Sequence, residues 1–93
     1  MRLIIREEAA DDLEAIYDWI AKASATAAAR VVLALLNRME SVLQPELINI
    51  GRPGRRKGTR ELVEWPYIIV YTVDTGLRRV TIISVVHGAR NRT

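Results

Sequence analysis

Cysteine is absent from the 93 residues, which excludes disulfides, thiolate metal sites and thiol nucleophiles. Histidine occurs once, at His87, and a metal site built on several imidazoles is therefore excluded as well. No apolar run exceeds six residues (31–36), against the roughly 20 that a bilayer-crossing helix needs. The opening stretch MRLIIREEAADD turns acidic where a secretory signal would stay apolar. Phenylalanine is missing, and the five aromatic residues leave positions 52–60 without one, so that segment offers no stacking platform for single-stranded nucleic acid. Neither a GxGxxG nor a P-loop is present. The phrase GRPGRRKG is superficially phosphate-binding, but it follows a helical pattern and precedes a strand, the reverse of what those motifs require. These absences lead us to expect a cytoplasmic protein folded as one domain over residues 1–93.

What is present is an ordinary globular composition, 49% hydrophobic and 27% charged, with the charge divided along the chain. Residues 1–50 carry five Lys or Arg against eight acids, net −3; residues 51–93 carry nine against three, net +6. Five of those nine (Arg52, Arg55, Arg56, Lys57 and Arg60) lie within residues 52–60, with no acid among them. A basic surface of this kind attracts nucleic acid, an acidic protein partner or both; the alternative is a solvated loop whose charges only maintain solubility.

The hydrophobic pattern predicts the order β-α-α-β-β-β. Leu3, Ile4 and Ile5 mark a short strand over residues 2–6. Leu13, Ile16, Tyr17 and Ile20 recur at helical spacing over 8–22, with Asp11, Asp12, Glu14 and Asp18 assigned to the solvent face and Glu7 and Glu8 near the first turn. Ser24 or Thr26 can cap a second helix running to about residue 43, where Pro45 ends it. Residues 44–58 hold two of the three prolines and three of the five glycines, and read as a loop. Three strands follow, at 59–64, 67–73 and 78–86, with Asp74-Thr75-Gly76 as a turn in which the glycine supplies positive φ. The expected fold is α+β, a helical hairpin packed on one face of a mainly antiparallel four-stranded sheet.

Little in this inventory supports a self-sufficient enzyme. Ser84 and His87 are three apart near a strand end, without an elbow motif or an orienting acid. The helical acids are a solvent face rather than a metal cluster, and no cofactor or metal is expected. Metal-free RNA cleavage survives as a chemistry, needing a base for the 2′-hydroxyl, an acid for the leaving oxygen and cations for the phosphate. Its candidates are His87, Tyr67, Tyr71, Arg60 and Arg90. Tyr67 and Tyr71 share a strand face and fit core or rim packing better than catalysis.

Three phrases in fixed order exceed what composition explains: G-R-x-G-x-x-x-G-x-R-E-L at residues 51–62, P-Y-x-x-x-Y at 66–71 and V-x-H-x-x-R at 85–90. Together with EEAADDLEAIYDWI they make the whole chain resemble the RelE/ParE superfamily of type II toxins, and specifically its ParE-like branch. The resemblance implies the β-α-α-β-β-β fold. It also implies a hetero-oligomer with a ParD-like cognate antitoxin, whose acidic C-terminal segment folds onto the toxin and whose other part recognises operator DNA. Superfamily members of the RelE-like branch cleave mRNA on the ribosome, whereas ParE-like members poison DNA gyrase. The nuclease pattern places Arg after the central-strand Tyr, where this chain has Ile68; it places paired Lys near positions 61–63, where none stands; and its C-terminal Tyr lies beyond Thr93. Of the nuclease positions only Arg90 matches. The resemblance thus implies a toxin that acts by binding gyrase, with a ribosome-dependent mRNA endonuclease as the alternative and a degenerate toxin as a third reading. On the binding reading, Arg60, His87, Arg90 and Arg92 are assigned to target contact. Arg52, Arg55, Arg56 and Lys57 form the electrostatic surface.

Overall fold

The computed structural model describes residues 1–44 and 47–88. Five strands and two helices follow one another as β1 (Arg2–Ile5), α1 (Glu7–Ala21), α2 (Ala25–Ser41), β2 (Arg52–Pro53), β3 (Arg60–Glu64), β4 (Tyr67–Asp74) and β5 (Arg79–His87). The helices start for different reasons. Arg6 precedes α1 without a side-chain cap, and Glu7 and Glu8 instead set negative charge against the positive end of the helix dipole. For α2 the cap is Ser24, whose Oγ accepts from the Ala27 N–H at 3.1 Å; Thr26 lies inside the helix. The three-residue link between the helices makes them an antiparallel hairpin, as the spacing predicted.

The sheet order is β1-β5-β4-β3-β2, with β1 parallel to β5 and every other pair antiparallel. The α+β class stands, but the sheet has five strands where four were expected. The extra one is β2, only two residues long and paired to Glu61 and Arg60. Two residues ending in proline have no period to read, so the loop assignment for 44–58 missed it. The tight turn between β4 and β5 also differs from expectation. Asp74 Oδ1 accepts from the Leu77 N–H at 3.0 Å, and the left-handed residue is Arg78 (φ 53°) rather than Gly76.

One face of the sheet packs on the helices. Leu62, Tyr67, Ile69, Tyr71, Val80, Ile82 and Val85 point that way and meet Ala9 of α1 and Leu35 and Met39 of α2 in a continuous core. The spacing along β5 is irregular: 80 and 82 alternate normally, but the next core residue is 85. The pairing explains it. Val70 faces Ser84 while Tyr71 faces Ile82, so Ile83 is an extra residue bulged out of β5. The bulge reverses the parity of the strand and brings Val85 back to the core side. It also turns the Val85 N–H toward the outer edge of β5, past the end of β1, which pairs only as far as Ile82. There α1 supplies the missing partner: Asp12 Oδ2 accepts from Val85 N–H at 2.8 Å.

Candidate functional site

The strand period places alternate residues of β4 on opposite faces of the sheet. Tyr67, Ile69 and Tyr71 face the helices, so Ile68 and Val70 face away from them, joined by Ser84 and Val86 after the bulge in β5. A cleft of about 350 Å³ opens on this side, its apolar floor bordered by Arg6, Glu8, Arg55, Arg56 and Glu61.

The basic loop between β2 and β3 forms one wall, and a buried clamp sets its position. Tyr71 Oη accepts from the Gly51 N–H at 3.0 Å and donates to the Ile48 carbonyl at 3.2 Å. Arg60 Nη1 donates to the Gly51 carbonyl at 2.8 Å and to the Asn49 carbonyl at 3.3 Å. Gly51 is required here because a Cβ would stand 2.7 Å from Tyr71 Oη and 2.8 Å from the Glu61 carbonyl oxygen. Beyond the clamp, Thr59 closes the loop by donating its hydroxyl and its N–H to the Arg56 carbonyl at 2.7 and 3.1 Å. Gly58 supplies the positive φ of 85° that this turn needs.

Among the described residues, the predicted site residues are not brought together. Arg52 pairs with Glu61 at 3.2 Å, an acid only 8% exposed, so its charge is largely spent within the sheet. Arg55, Arg56 and Lys57 are exposed and have no ion pair among the described residues. Arg60 holds main-chain carbonyls at the opposite end of β3 from His87. His87 closes β5, half-buried, with its ring edge-on to Tyr67 (centroids 5.5 Å apart, interplanar angle 85°). It borders a separate hollow beside Trp19 and Ile20 of α1, on the helix side of the sheet. Arg90 and Arg92 lie outside the described residues. Of the five RNA-cleavage candidates, Tyr67 and Tyr71 are in the core and the Tyr71 hydroxyl is occupied by the clamp.

One structurally important position escaped the sequence reading altogether. Asp12 was assigned to the solvent face of the first helix, yet it is half-buried and tied to Val85. Desolvation raises its pKa above the usual 3.8, and Glu8 and Asp11 add repulsion in the same direction; the hydrogen bond from Val85 opposes both. The signal was there in the spacing, since position 12 is three residues from Ala9 and four from Ile16, on the buried stripe.

Comparison with known proteins agrees with this architecture. Residues 3–92 match the family model described as the ParE toxin of the type II toxin–antitoxin system parDE. Y4kP of Sinorhizobium fredii, a protein named as a candidate toxin, is 42% identical over 78 residues, covering 82% of this chain and 76% of its own length. Among solved structures, a chain of the chromosomal ParDE system from P. aeruginosa superposes with a TM-score of 0.80 at 26% identity, over 94% of this chain and 95% of that one. A chain of the RelBE2 toxin–antitoxin complex from Mycobacterium tuberculosis superposes with a TM-score of 0.67 at 24% identity, over 92% and 88% of the two chains. At that identity the second match speaks for the fold alone.

Proposed function

This chain belongs to the ParE toxin family of type II toxin–antitoxin systems, and we propose that it acts by docking on DNA gyrase and is neutralised by a cognate, ParD-like antitoxin. The observation that carries a binding mode of action is the dispersal of the reactive side chains. RNA cleavage needs a base, an acid and cations around one phosphate. Here the imidazole of His87 sits beside Trp19 on the helix side, Tyr71 and Arg60 are spent on the clamp, and the exposed arginines line the other face. Among the described residues the surface offers charge and apolar area but no converging acid and base, which suits recognition of a macromolecule. Gyrase as the macromolecule rests on the ParE branch of the superfamily.

The purified chain should inhibit supercoiling by gyrase and leave mRNA intact on translating ribosomes. Cleaved mRNA with untouched gyrase would replace this reading with the RelE-like endonuclease. A short neighbouring gene whose product ends in an acidic segment is expected, and co-expression with it should abolish the inhibition.

A further inference from the structure

We propose that Arg2 and Arg79, with Arg78 beside them, form a binding site for a terminal phosphate group, outside the cleft and next to the β4–β5 turn. Arg2 opens β1 and Arg79 opens β5, and the parallel register sets them side by side. Neighbouring strands are about 4.8 Å apart, close enough for both guanidinium groups to reach one anion. Leu3 and Val80 pack into the core, so alternation turns both arginines to the helix-free face. The Arg2 N–H donates to the Arg78 carbonyl at 2.9 Å, which fixes the third arginine next to the pair. Like charges set side by side on a sheet repel. Arg78 adds strain, since it takes a left-handed φ of 53° that suits glycine or asparagine. The acid of the turn does not offset these charges. Asp74 is the register partner of Arg79, but its Oδ1 accepts from the Leu77 N–H, and no ion pair joins it to an arginine among the described residues.

One atom shows that the arrangement is incomplete. Arg79 is half-buried, and its Nε is shielded from water without a hydrogen-bond partner among the described residues. A buried charged donor left unsatisfied is costly, and an oxyanion is the complement it lacks. Two residues along on the same face, Thr81 and its register partner Thr72 add hydroxyls that can donate to further oxygens. A carboxylate has one charge and two oxygens, enough for a single arginine fork. A terminal phosphate carries roughly −1.5 to −2 charge near neutral pH and three acceptor oxygens, so it can accept from Arg2 and Arg79 together.

The Nε–Hε group of Arg79 is itself the reporter. In proton–nitrogen correlation spectra of the intact 93-residue chain at low salt, inorganic phosphate should shift the Nε–Hε resonances of Arg79 and Arg2 saturably. Acetate at the same ionic strength should not. Adenosine 5′-monophosphate separates the sources of the group. Tighter binding than inorganic phosphate identifies a nucleotide or a nucleic-acid 5′ end, equal binding identifies the free anion, and either result supports the site. Arg79→Lys keeps the charge but loses the fork, and should weaken phosphate binding about tenfold. Arg2→Gln alters an exposed side chain and should also weaken it about tenfold, which carries the test if Arg79→Lys does not fold. Arg55→Gln with Arg56→Gln, on the β2–β3 loop, should leave phosphate affinity unchanged. Resonances that do not move with phosphate, an equal response to acetate, or equal weakening by the loop variant would overturn the proposal. A response only to a DNA duplex without terminal phosphates would overturn it too, by assigning these arginines to the nucleic-acid backbone.

Discussion

The two faces of this sheet are made from neighbouring residues of the same strands, yet they have different surroundings. On the helix side, Ile69 and Tyr71 are fully buried, and with Leu35 and Met39 they hold the two layers together. One residue along, Val70 looks out over a basic-rimmed cleft. The two faces thus use the same aliphatic chemistry and differ in what borders them. Helices cover one side. On the other, Arg6, Arg55 and Arg56, which have no ion pair among the described residues, border the apolar floor.

This contrast predicts a graded set of effects. Ile69→Ala should cost about 2–5 kcal/mol in chemical denaturation, because a closed core cannot collapse onto the lost volume, whereas Val70→Ala should cost about 1 kcal/mol and act mainly on partner binding. Equal losses at the two positions would erase the distinction between the faces. Next comes the clamp that poses the basic wall. Gly51→Ala forces a methyl group against Tyr71 and the Glu61 carbonyl and should cost about 1–3 kcal/mol, since main-chain atoms cannot step aside. Tyr71→Phe leaves the Gly51 N–H and Ile48 carbonyl without the hydroxyl and should cost about 1–3 kcal/mol. Arg60→Ala belongs to the same group: if Arg60 is a positioning residue, its loss should weaken the antitoxin complex along with toxicity. Loss of toxicity with full antitoxin affinity would instead restore Arg60 to target contact.

Asp12 gives a smaller effect with a defined pH dependence. Its folded-state pKa is raised, so the carboxyl contributes stability that is fully present below the unfolded value of 3.8 and is lost as pH rises through the elevated folded value. Asp12→Asn keeps an oxygen for the Val85 N–H without a buried charge. The variant should match the parent at low pH and exceed it near neutrality; a parent more stable at neutral pH would mean that the charge strengthens the bond more than burial weakens it. Asp12→Ala should lose about 1–3 kcal/mol through the orphaned N–H. The mildest change is Ser24→Ala, which should cost about 1 kcal/mol as the cap of α2 is removed.

Much of the architecture was legible from local chemistry. Helical spacing at Leu13, Ile16 and Ile20 and β-branched runs at 67–73 and 78–86 placed every long element within a few residues of its observed bounds. The site was less legible. Basic residues crowded into 52–60 indicated a charged surface, and Arg55 and Arg56 do border the cleft. Nothing in the spacing shows that Arg52 is neutralised by Glu61 or that Arg60 is turned onto carbonyls nine and eleven residues away. Such pairings depend on which strands become neighbours.

By itself the amino-acid order determined where the backbone coils or extends, which stripes are apolar, and how charge is divided along the chain. All three follow from interactions within a few residues. Only the tertiary structure decided the parity of β5, because a bulge at Ile83 arises from pairing with β4 and not from any preference of its own. That single extra residue sends Val85 into the core, Ser84 and Val86 to the open face, and the Val85 N–H to Asp12. A side chain's direction in a strand has period two, so one long-range pairing shift reassigns every residue beyond it.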